Sequence, residues 1–154
     1  MKIERATQND LPFLKKLLVY ICNYHHINRP DIFKQNCSKY TDDELLQKIN
    51  DITQYIYIAF IDGLPCGYIF AYLQNPKNHV LNDIKTMYID DLCVAENFRK
   101  NGVATALMDH IKQVAKSIQC YNITLNVWEF PESALNFYKN YGMKTMSRKM
   151  EIII

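Results

Sequence analysis

A basic turn at residues 98–105, Phe-Arg-Lys-Asn-Gly-Val-Ala-Thr, combines residue types that suit the binding of an anion. It follows a stretch rich in β-forming residues (87–94) and precedes an amphipathic helical pattern that starts at Val103. The turn therefore lies at a helix N-terminus, where unpaired N–H groups and the helix dipole attract anions. Gly102 permits a positive φ or a close approach, and the guanidinium of Arg99 suits phosphate oxygens. This combination predicts a pyrophosphate-binding turn.

The commoner nucleotide-binding turns do not fit this chain. It has four glycines and contains neither G-x-x-x-x-G-K-S/T nor G-x-G-x-x-G, so the P-loop and Rossmann motifs are excluded. Its 154 residues predict one domain, 1–154, and its hydrophobic and charged fractions of 49% and 22% are typical of a globular protein. The net charge of +2, with scattered Lys and Arg residues, argues against nucleic acid as a partner.

The cysteine pattern points away from metal and disulfide chemistry. Five cysteines are present, an odd number, and they lie far apart without a C-x-x-C: Cys22, Cys37, Cys66, Cys93 and Cys120. We therefore expect neither a bound metal nor a disulfide framework. There is no apolar signal segment and no run of membrane-spanning length. These features predict a cytoplasmic protein without membrane contact.

The rest of the pattern supplies the elements that must position the turn. Thr41-Asp42-Asp43-Glu44 resembles a capping box, and Asp62-Gly63-Leu64-Pro65 is expected to join two strands into a hairpin. The segment 24–36 is expected to be irregular because Arg29-Pro30 interrupts it. Strands are predicted at 2–6, 55–61, 67–73, 87–94, 121–127 and 145–154, and helices at 12–21, 41–50, 103–116 and 132–141. This is the order of an α/β fold with a β-α-β-α-β finish.

Two motifs carry a resemblance to a known family. Arg99-x-x-Gly102-x-Ala104 resembles the Arg/Gln-x-x-Gly-x-Gly/Ala signature of the GNAT superfamily, the acetyl-CoA-dependent N-acetyltransferases. Residues 134–143 (Ala-Leu-Asn-Phe-Tyr-Lys-Asn-Tyr-Gly-Met) resemble the family's C-terminal motif, A-x-x-Phe/Leu-Tyr-x-x-x-Gly-Phe. The element order is similar over nearly the whole chain. The resemblance implies a mixed, mostly antiparallel sheet, splayed between two central parallel strands and covered by helices on both faces.

The same resemblance implies acetyl-CoA as the cofactor and indicates its contacts. In this family the pantetheine arm pairs with the strand before the turn, and an N–H near Leu92 or Cys93 would serve as oxyanion donor. Asn126 would meet the pantetheine amide, or it is an ordinary polar residue at a strand end. Pro131 departs from the family, which often has a cofactor-binding Asn there. The predicted contacts are Leu92, Cys93, Val94, Arg99, Lys100, Asn101, Gly102, Val103, Ala104, Thr105, Asn126, Ser133 and Asn136.

Asp90 and Asp91 are the acidic candidates for handling an acceptor amine. An alkylamine, with a pKa of about 10.4, is protonated at neutral pH, so a carboxylate can attract it and then accept a proton. Successive strand residues face opposite ways, so in a regular strand only one of the two faces the cleft. Similarity to the acidic pair of polyamine acetyltransferases implies Asp90 as base and Asp91 as substrate contact. Alternatively, both acids end or twist a strand near solvent.

The remaining candidates depend on the motif context. Tyr138 is implied as the acid that protonates the departing thiolate, or it is an ordinary aromatic residue of the inner helix face. Cys93 is not expected to act as a nucleophile, since no histidine lies nearby in sequence. His26, Arg29 and Phe33 lie between the first two helices, where this fold commonly borders the acceptor pocket. A polar and aromatic surface loop is the alternative for all three.

These residues leave two principal functions open. One is direct transfer of an acetyl group from acetyl-CoA to a small-molecule or peptide amine. The other is a GNAT-like module that holds acyl-CoA without turnover, and a different anion-binding α/β protein is a third possibility. The acid pair and Tyr138 favour the enzyme, because a module that only binds acyl-CoA needs neither. Pro131 slightly favours the binding module. The acceptor stays open, and a homodimer is compatible with the family but required by no residue pattern.

Overall fold

Five strands form one mixed sheet in the computed structural model, which describes residues 1–77, 79–130 and 132–154. Their order in the sheet follows the chain, and only the last pair is parallel. The strands are β1 (Lys2–Arg5), β2 (Gln54–Ile61), β3 (Leu64–Gln74), β4 (Thr86–Val94) and β5 (Asn122–Leu125). The mixed, mostly antiparallel sheet predicted from the sequence is thus confirmed.

Four α-helices cover the sheet: α1 (Leu11–Asn28), α2 (Asp42–Asn50), α3 (Val103–Ser117) and α4 (Glu132–Asn140). The predicted capping box of α2 is confirmed, since the Thr41 hydroxyl accepts from the Glu44 N–H and the Glu44 carboxylate accepts from the Thr41 N–H. The irregular stretch expected from residue 24 begins only at Arg29. The helix continues to Asn28 because Pro30 disfavours helical geometry only for the residue directly before it.

The helices bury apolar residues on both faces of the sheet. On one face, Leu14, Leu17 and Leu18 of α1 and Leu45 and Ile49 of α2 pack against inward residues of β2, β3 and β4. On the other face, Val103, Leu107, Met108, Ile111 and Ala115 of α3 pack against Ala59, Ile69, Ala71, Met87 and Ile89. The apolar spacing of α3 read from the sequence therefore marks the side that it buries.

The two parallel strands separate part-way along their length. Pairing between β4 and β5 runs from Thr86–Asn122 to Ile89–Leu125 and then stops, whereas β4 continues to Val94. On that side of residues 90–94, no described strand completes the sheet. This is the predicted splay, and it leaves an open edge on β4 that ends at the basic turn.

The strand predicted at 145–154 is wrong. Residues 143–154 have no regular secondary structure, and Met146, Met150 and Ile152 are each more than three quarters exposed. Alternating apolar residues give a segment β-propensity, but a strand also needs a neighbour for its backbone hydrogen bonds. Within the described residues, this C-terminal segment pairs with no strand, and Glu151 instead forms an ion pair with Arg29.

The expectation of no disulfide is also wrong for one pair. Cys22 of α1 and Cys37 of the loop before α2 form a disulfide, with Cα atoms 6.3 Å apart. They are 15 residues apart in sequence, and only the path of the chain after α1 brings them together. Among the described residues, Cys66, Cys93 and Cys120 are free, and no group of three or more His, Cys, Asp or Glu side chains could hold a metal. In the same described ranges, no helix has the length and apolarity needed to cross a membrane.

Candidate functional site

The basic turn presents unpaired backbone donors to solvent. Gly102 adopts a left-handed conformation (φ 77°) directly before α3, and Lys100 does the same (φ 63°). Within the described part of the chain, nothing accepts a hydrogen bond from the N–H groups of Val103, Ala104 or Thr105, the first three helical residues. Most side chains of the turn are exposed. The corner is therefore accessible and has the donors that an anion requires.

Arg99 links this turn to α1. Its guanidinium donates a 2.6 Å hydrogen bond from Nη2 to the hydroxyl of Tyr20 and lies 5.2 Å from the centre of that ring. The Nε atom lies 3.4 Å from the carbonyl oxygen of Val94. The arginine is thus held beside the end of β4 while its side chain stays exposed, a position from which it can contact an anion at the turn.

Gly67 of β3 allows α3 to begin close to the sheet. A Cβ at this position would lie 2.9 Å from the carbonyl oxygen of Cys93 and 3.0 Å from Cγ1 of Val103. The first distance is shorter than real Cβ contacts and the second is very tight, so a side chain at this point would force the Cys93 carbonyl or Val103 to shift. Gly67 therefore helps to set the distance between the open edge of β4 and the anion-binding turn.

The N–H groups of β4 divide between its two sides. Ala95 donates to the carbonyl of Cys66, on the β3 side. Because successive N–H groups along a strand point in opposite directions, the N–H of Cys93 also faces β3. Those of Leu92 and Val94 face the open edge. Of the two residues predicted to provide an oxyanion donor, Leu92 has the suitable direction and Cys93 does not.

A β-bulge places both aspartates on one face of β4. Asp91 is opposite Phe70 and Ile89 is opposite Ala71, so Asp90 is an extra residue in the ladder. The expectation of a single carboxylate facing the cleft was made for a regular strand, and it does not apply here because the bulge interrupts the alternation. Beyond the bulge the alternation resumes, with Leu92 packed on the α3 side and Cys93 on the side of α1 and α2.

Asp90 is held by two groups from the loop before α2. The hydroxyl of Tyr40 donates a 2.5 Å hydrogen bond to Oδ2 of Asp90, and the amine of Lys39 lies 2.8 Å from the same oxygen. The side chain of Asp90 is only 17% exposed. Burial and the Asp90 carboxylate raise the pKa of Tyr40, so its hydroxyl stays protonated and remains a donor.

Desolvation dominates the electrostatics of Asp91. Burial raises the pKa of Asp91 to about 6, and the adjacent charge of Asp90 adds to this effect, while Lys39 opposes it. The fully buried Tyr68 lies beside Asp91, and its hydroxyl makes no hydrogen bond of good geometry among the described residues. A carboxyl group with this pKa can exchange a proton near neutral pH.

Tyr138 of α4 and Cys93 of β4 lie near Asp91. Burial, followed by the charge of Asp91, raises the pKa of both groups, that of Cys93 to about 12. The thiol of Cys93 therefore stays protonated, which agrees with the expectation that it is not a nucleophile. Tyr138 keeps its proton and can donate it. The splay thus brings together an acid pair from β4 and a phenol from α4.

Of the other predicted cofactor contacts, Asn126 bonds to β4. The side-chain amide of Asn126, just after β5, donates a 3.1 Å hydrogen bond to the hydroxyl of Tyr88 on β4. Asn136 is exposed on α4. Ser133 lies in the first turn of the same helix, and its side chain is outside the described part of the structure, as is the whole of Pro131.

The three residues predicted to contact the acceptor are tied to the loop after α1. Nδ1 of His26 lies 2.7 Å from the carbonyl oxygen of Phe33, and Arg29 forms ion pairs with Asp31 and Glu151. The ring of Phe33 stacks on His25 (4.9 Å) and meets Trp128 edge-on (5.3 Å). Among the described residues, their hydrogen bonds and ring contacts do not include the two aspartates. They shape the loop that carries Lys39 and Tyr40.

A comparison with protein families decides which family the chain belongs to. The model described as the acetyltransferase (GNAT) family matches residues 21–143, most of the chain. The chain belongs to the GNAT family of acetyltransferases.

Relatives of this GNAT protein extend over its whole length. An uncharacterized N-acetyltransferase in the pepI 3' region of Lactobacillus delbrueckii subsp. lactis is 21% identical over 99% of this chain and 90% of its own. The X-ray structure of a tetramutant of the BH1408 protein from Bacillus halodurans is 27% identical, with a TM-score of 0.94 and full coverage of both chains. An aminoglycoside acetyltransferase, meta-AAC0020 from an uncultured soil sample, shares the fold at 20% identity, with a TM-score of 0.70 over 99% of this chain and 94% of its own.

Three residues of this GNAT site were missed by sequence reasoning: Lys39, Tyr40 and Tyr68. Lys39 and Tyr40 lie directly before the capping box of α2 and meet an aspartate about fifty residues later in the chain. Tyr68 has the pattern of an ordinary strand residue. None of the three belongs to a motif. The one signal in the sequence was that Lys39 and Tyr40 directly precede a predicted helix, close to the region expected to border the acceptor.

Proposed function

We propose that the protein transfers an acetyl group from acetyl-CoA to a primary amine by direct attack within a ternary complex. The observation that carries this proposal is the open edge of β4. It combines free N–H groups at Leu92 and Val94, two carboxylates on one face, and an anion-binding turn at its end. Membership of the GNAT family supports acyl transfer as the reaction class. Acetyl-CoA, when bound, supplies the activated acyl thioester.

The chain's own groups suit each part of such a cofactor. The left-handed turn and the unpaired N–H groups of Val103, Ala104 and Thr105 suit a diphosphate, assisted by the charges of Arg99 and Lys100. The outward N–H groups of Leu92 and Val94 suit an extended pantetheine amide chain and a developing oxyanion. Asn101, Asn126, Ser133 and Asn136 stay as predictions at the edges of this site.

The contacts favour exchanging the roles predicted for the two aspartates. Asp90 already accepts hydrogen bonds from Tyr40 and Lys39, which suits a residue that orients a cationic group. Asp91 has the pKa near 6 that an efficient base requires at neutral pH. We therefore propose that Asp91 accepts the proton of the amine, directly or through water, and that Asp90 attracts the ammonium.

Tyr138 is proposed as the group that protonates the departing thiolate. Its raised pKa keeps the phenol neutral, and its position near Asp91 and Cys93 supports this role. In an acyl transfer the attacking nitrogen loses two protons: Asp91 receives the first and later releases it to solvent, and the second replaces the proton that Tyr138 gives to the thiolate, so both residues return to their starting states. The net products are an N-acetyl amine, CoA and one proton.

The acceptor is proposed only as a class, a cationic primary amine. Two carboxylates on one face favour such a group over a neutral one. The relatives carry the names of an N-alpha-acetyltransferase, a glucosamine 6-phosphate N-acetyltransferase and aminoglycoside acetyltransferases, and at this level of identity none of them selects the acceptor here. A cytoplasmic location, the absence of a nucleic-acid partner and a homodimer also stay predictions from the sequence.

Thiol release from acetyl-CoA with a panel of cationic amines tests this function. We expect turnover with at least one amine, a fall of about 10²-fold in kcat for Tyr138→Phe, and unchanged CoA affinity in that variant. Tyr141→Phe is the matched control, since that hydroxyl is in the same motif but bonds to Asp109 of α3. Tight CoA binding without consumption of any amine would instead identify a binding module.

A further inference from the structure

A lysine of the chain itself occupies the place where a cationic acceptor would be held. The Nζ atom of Lys39 lies 2.8 Å from a carboxylate oxygen of Asp90 and 3.3 Å from the carbonyl oxygen of the same residue. Its charge also acts on Asp91 and on His25, so the amine lies among these three groups. Lys39 is therefore a primary amine beside both proposed acceptor carboxylates.

The ion pair between Lys39 and Asp90 is partly exposed to solvent, so it can break without leaving the lysine charge buried. The lysine side chain is 41% exposed and that of Asp90 is 17% exposed, so the amine is open to water on its own side and its attraction to the carboxylate is partly screened. Asp90 keeps its second partner, Tyr40, when Lys39 leaves. The amine can thus lose its carboxylate contact at little cost and turn toward a thioester at the open edge of β4.

We propose that Lys39 is a modification site of this protein, acetylated at Nζ within its own acceptor site. The inference rests on the proposed function, because it uses the same acyl thioester and the same base. Asp91 accepts a proton from the ammonium, and the free amine attacks the thioester carbonyl. An N–C bond would form and the C–S bond would break, with the thiolate taking a proton from Tyr138. As the nitrogen becomes an amide, its second proton would return to the Tyr138 oxygen, and Asp91 would release the first to solvent. Acetyl-CoA and Lys39 become CoA and N-acetyl-lysine, with one proton released.

Acetylation would change the charge at this site. The product amide is neutral, so the ion pair with Asp90 is lost and the cleft becomes more negative by one unit. With its opposing cation removed, the pKa of Asp91 should rise further, since Lys39 is what counteracts its burial. The modified protein should therefore hold an external cationic amine more tightly, because Lys39 no longer competes for Asp90.

Peptide mass mapping after incubation of the full chain with acetyl-CoA, without added amine, tests the site. We expect one acetyl group, on Lys39, added at a rate independent of protein concentration and lost in Lys39→Arg and Asp91→Asn. Lys48→Arg is the matched control, since the Lys48 amine lies 4.9 Å over the Tyr40 ring but bonds to Gln54 rather than Asp90. Equal labelling of Lys39 and Lys48 would mean simple chemical acetylation and would overturn the proposal.

A second measurement does not depend on turnover. Labelling of lysines with an amine-selective succinimidyl ester, in the presence and absence of CoA, should show protection of Lys39 and no protection of Lys48. Acetylation of added amines with Lys39 unmodified and unprotected would refute this inference and leave the proposed function standing. CoA that protects Lys39 without any acyl transfer, to Lys39 or to added amines, would count against both.

Discussion

Tyr40 donates a 2.5 Å hydrogen bond to the carboxylate of Asp90, fifty residues further along the chain. The ring of Tyr40 also stacks on Phe70 of the neighbouring strand, with centroids 6.1 Å apart. One side chain thus joins the loop before α2 to the bulge of β4. The orientation of Asp90 in the cleft therefore depends on a residue that lies outside both family motifs.

Tyr40→Phe should lower the free energy of unfolding by about 1–2 kcal/mol, since a hydrogen bond to a charged group is lost from a partly exposed pair. The ring and its stacking are retained, so the effect isolates the hydroxyl. Urea denaturation at neutral pH measures it, with Tyr121→Phe as control, because Tyr121 is 75% exposed. Equal losses in the two variants would contradict the assigned bond.

Asp91→Asn should stabilise the protein at neutral and higher pH. The pKa of Asp91 is about 6 in the folded chain against 3.8 as the reference value. The folded state therefore keeps a proton that the unfolded chain has lost between these values, and stability falls as pH rises through this window. Above it the penalty is at most about 3 kcal/mol, which the non-ionising amide avoids.

The pH profile separates this effect from a general change in packing. The gain in stability of Asp91→Asn should vanish at about pH 3.5, where wild-type Asp91 is protonated in both states. Acetyl transfer by the wild type should rise with a midpoint near the same folded-state pKa of about 6. A stability difference that does not vary with pH would show that Asp91 keeps an ordinary pKa.

Gly102→Ala and Gly63→Ala form a matched pair for the anion-binding turn. Both glycines have φ near 77°, and a Cβ at either would meet nothing within 4 Å. Each variant should lose about 1 kcal/mol of stability from backbone strain alone. Only Gly102→Ala should weaken CoA binding, by about tenfold, because relief of the strain reorients the N–H groups that begin α3. Calorimetric titration with CoA compares them, and equal affinities would remove the turn from the site.

Gly67→Ala should move the start of α3 away from the sheet. The added methyl would lie 2.9 Å from the Cys93 carbonyl and 3.0 Å from Val103, so one of them must shift. We expect a loss of about 1–3 kcal/mol from overpacking, together with weaker CoA binding. Thermal unfolding and CoA titration measure the two effects. A wild-type melting temperature and wild-type CoA affinity would show that a methyl group fits between β3 and the first turn of α3.

Local patterns in the sequence were enough for most individual elements. The capping box before α2, the hairpin of β2 and β3 and the apolar stripe of α3 each act over a few residues, and each is present. The hairpin turn is shorter than predicted, because β3 already begins at Leu64. The left-handed Gly102 before α3 belongs to the same class, because glycine adopts this conformation without steric cost. The sequence therefore indicated where an anion could bind before any contact was known.

The arrangement of the acid pair required the tertiary structure. The bulge at Asp90 depends on how β4 pairs with β3, and neither strand signals it through its own alternation. Lys39, Tyr40 and the disulfide between Cys22 and Cys37 likewise depend on the path of the loop after α1. The C-terminal segment has strand-like residues but no described partner strand, so its propensity was misleading.

By itself the sequence determined the basic turn with its left-handed glycine, the helices and strands around it and the family to which the chain belongs. These follow from backbone preferences and apolar spacing, which act between residues close in the chain. Only the tertiary structure decided that both aspartates share one face, that Lys39 and Tyr40 hold one of them, and that burial raises the pKa of the other. Those properties arise from strand register and packing between distant segments, and no short stretch of sequence encodes them.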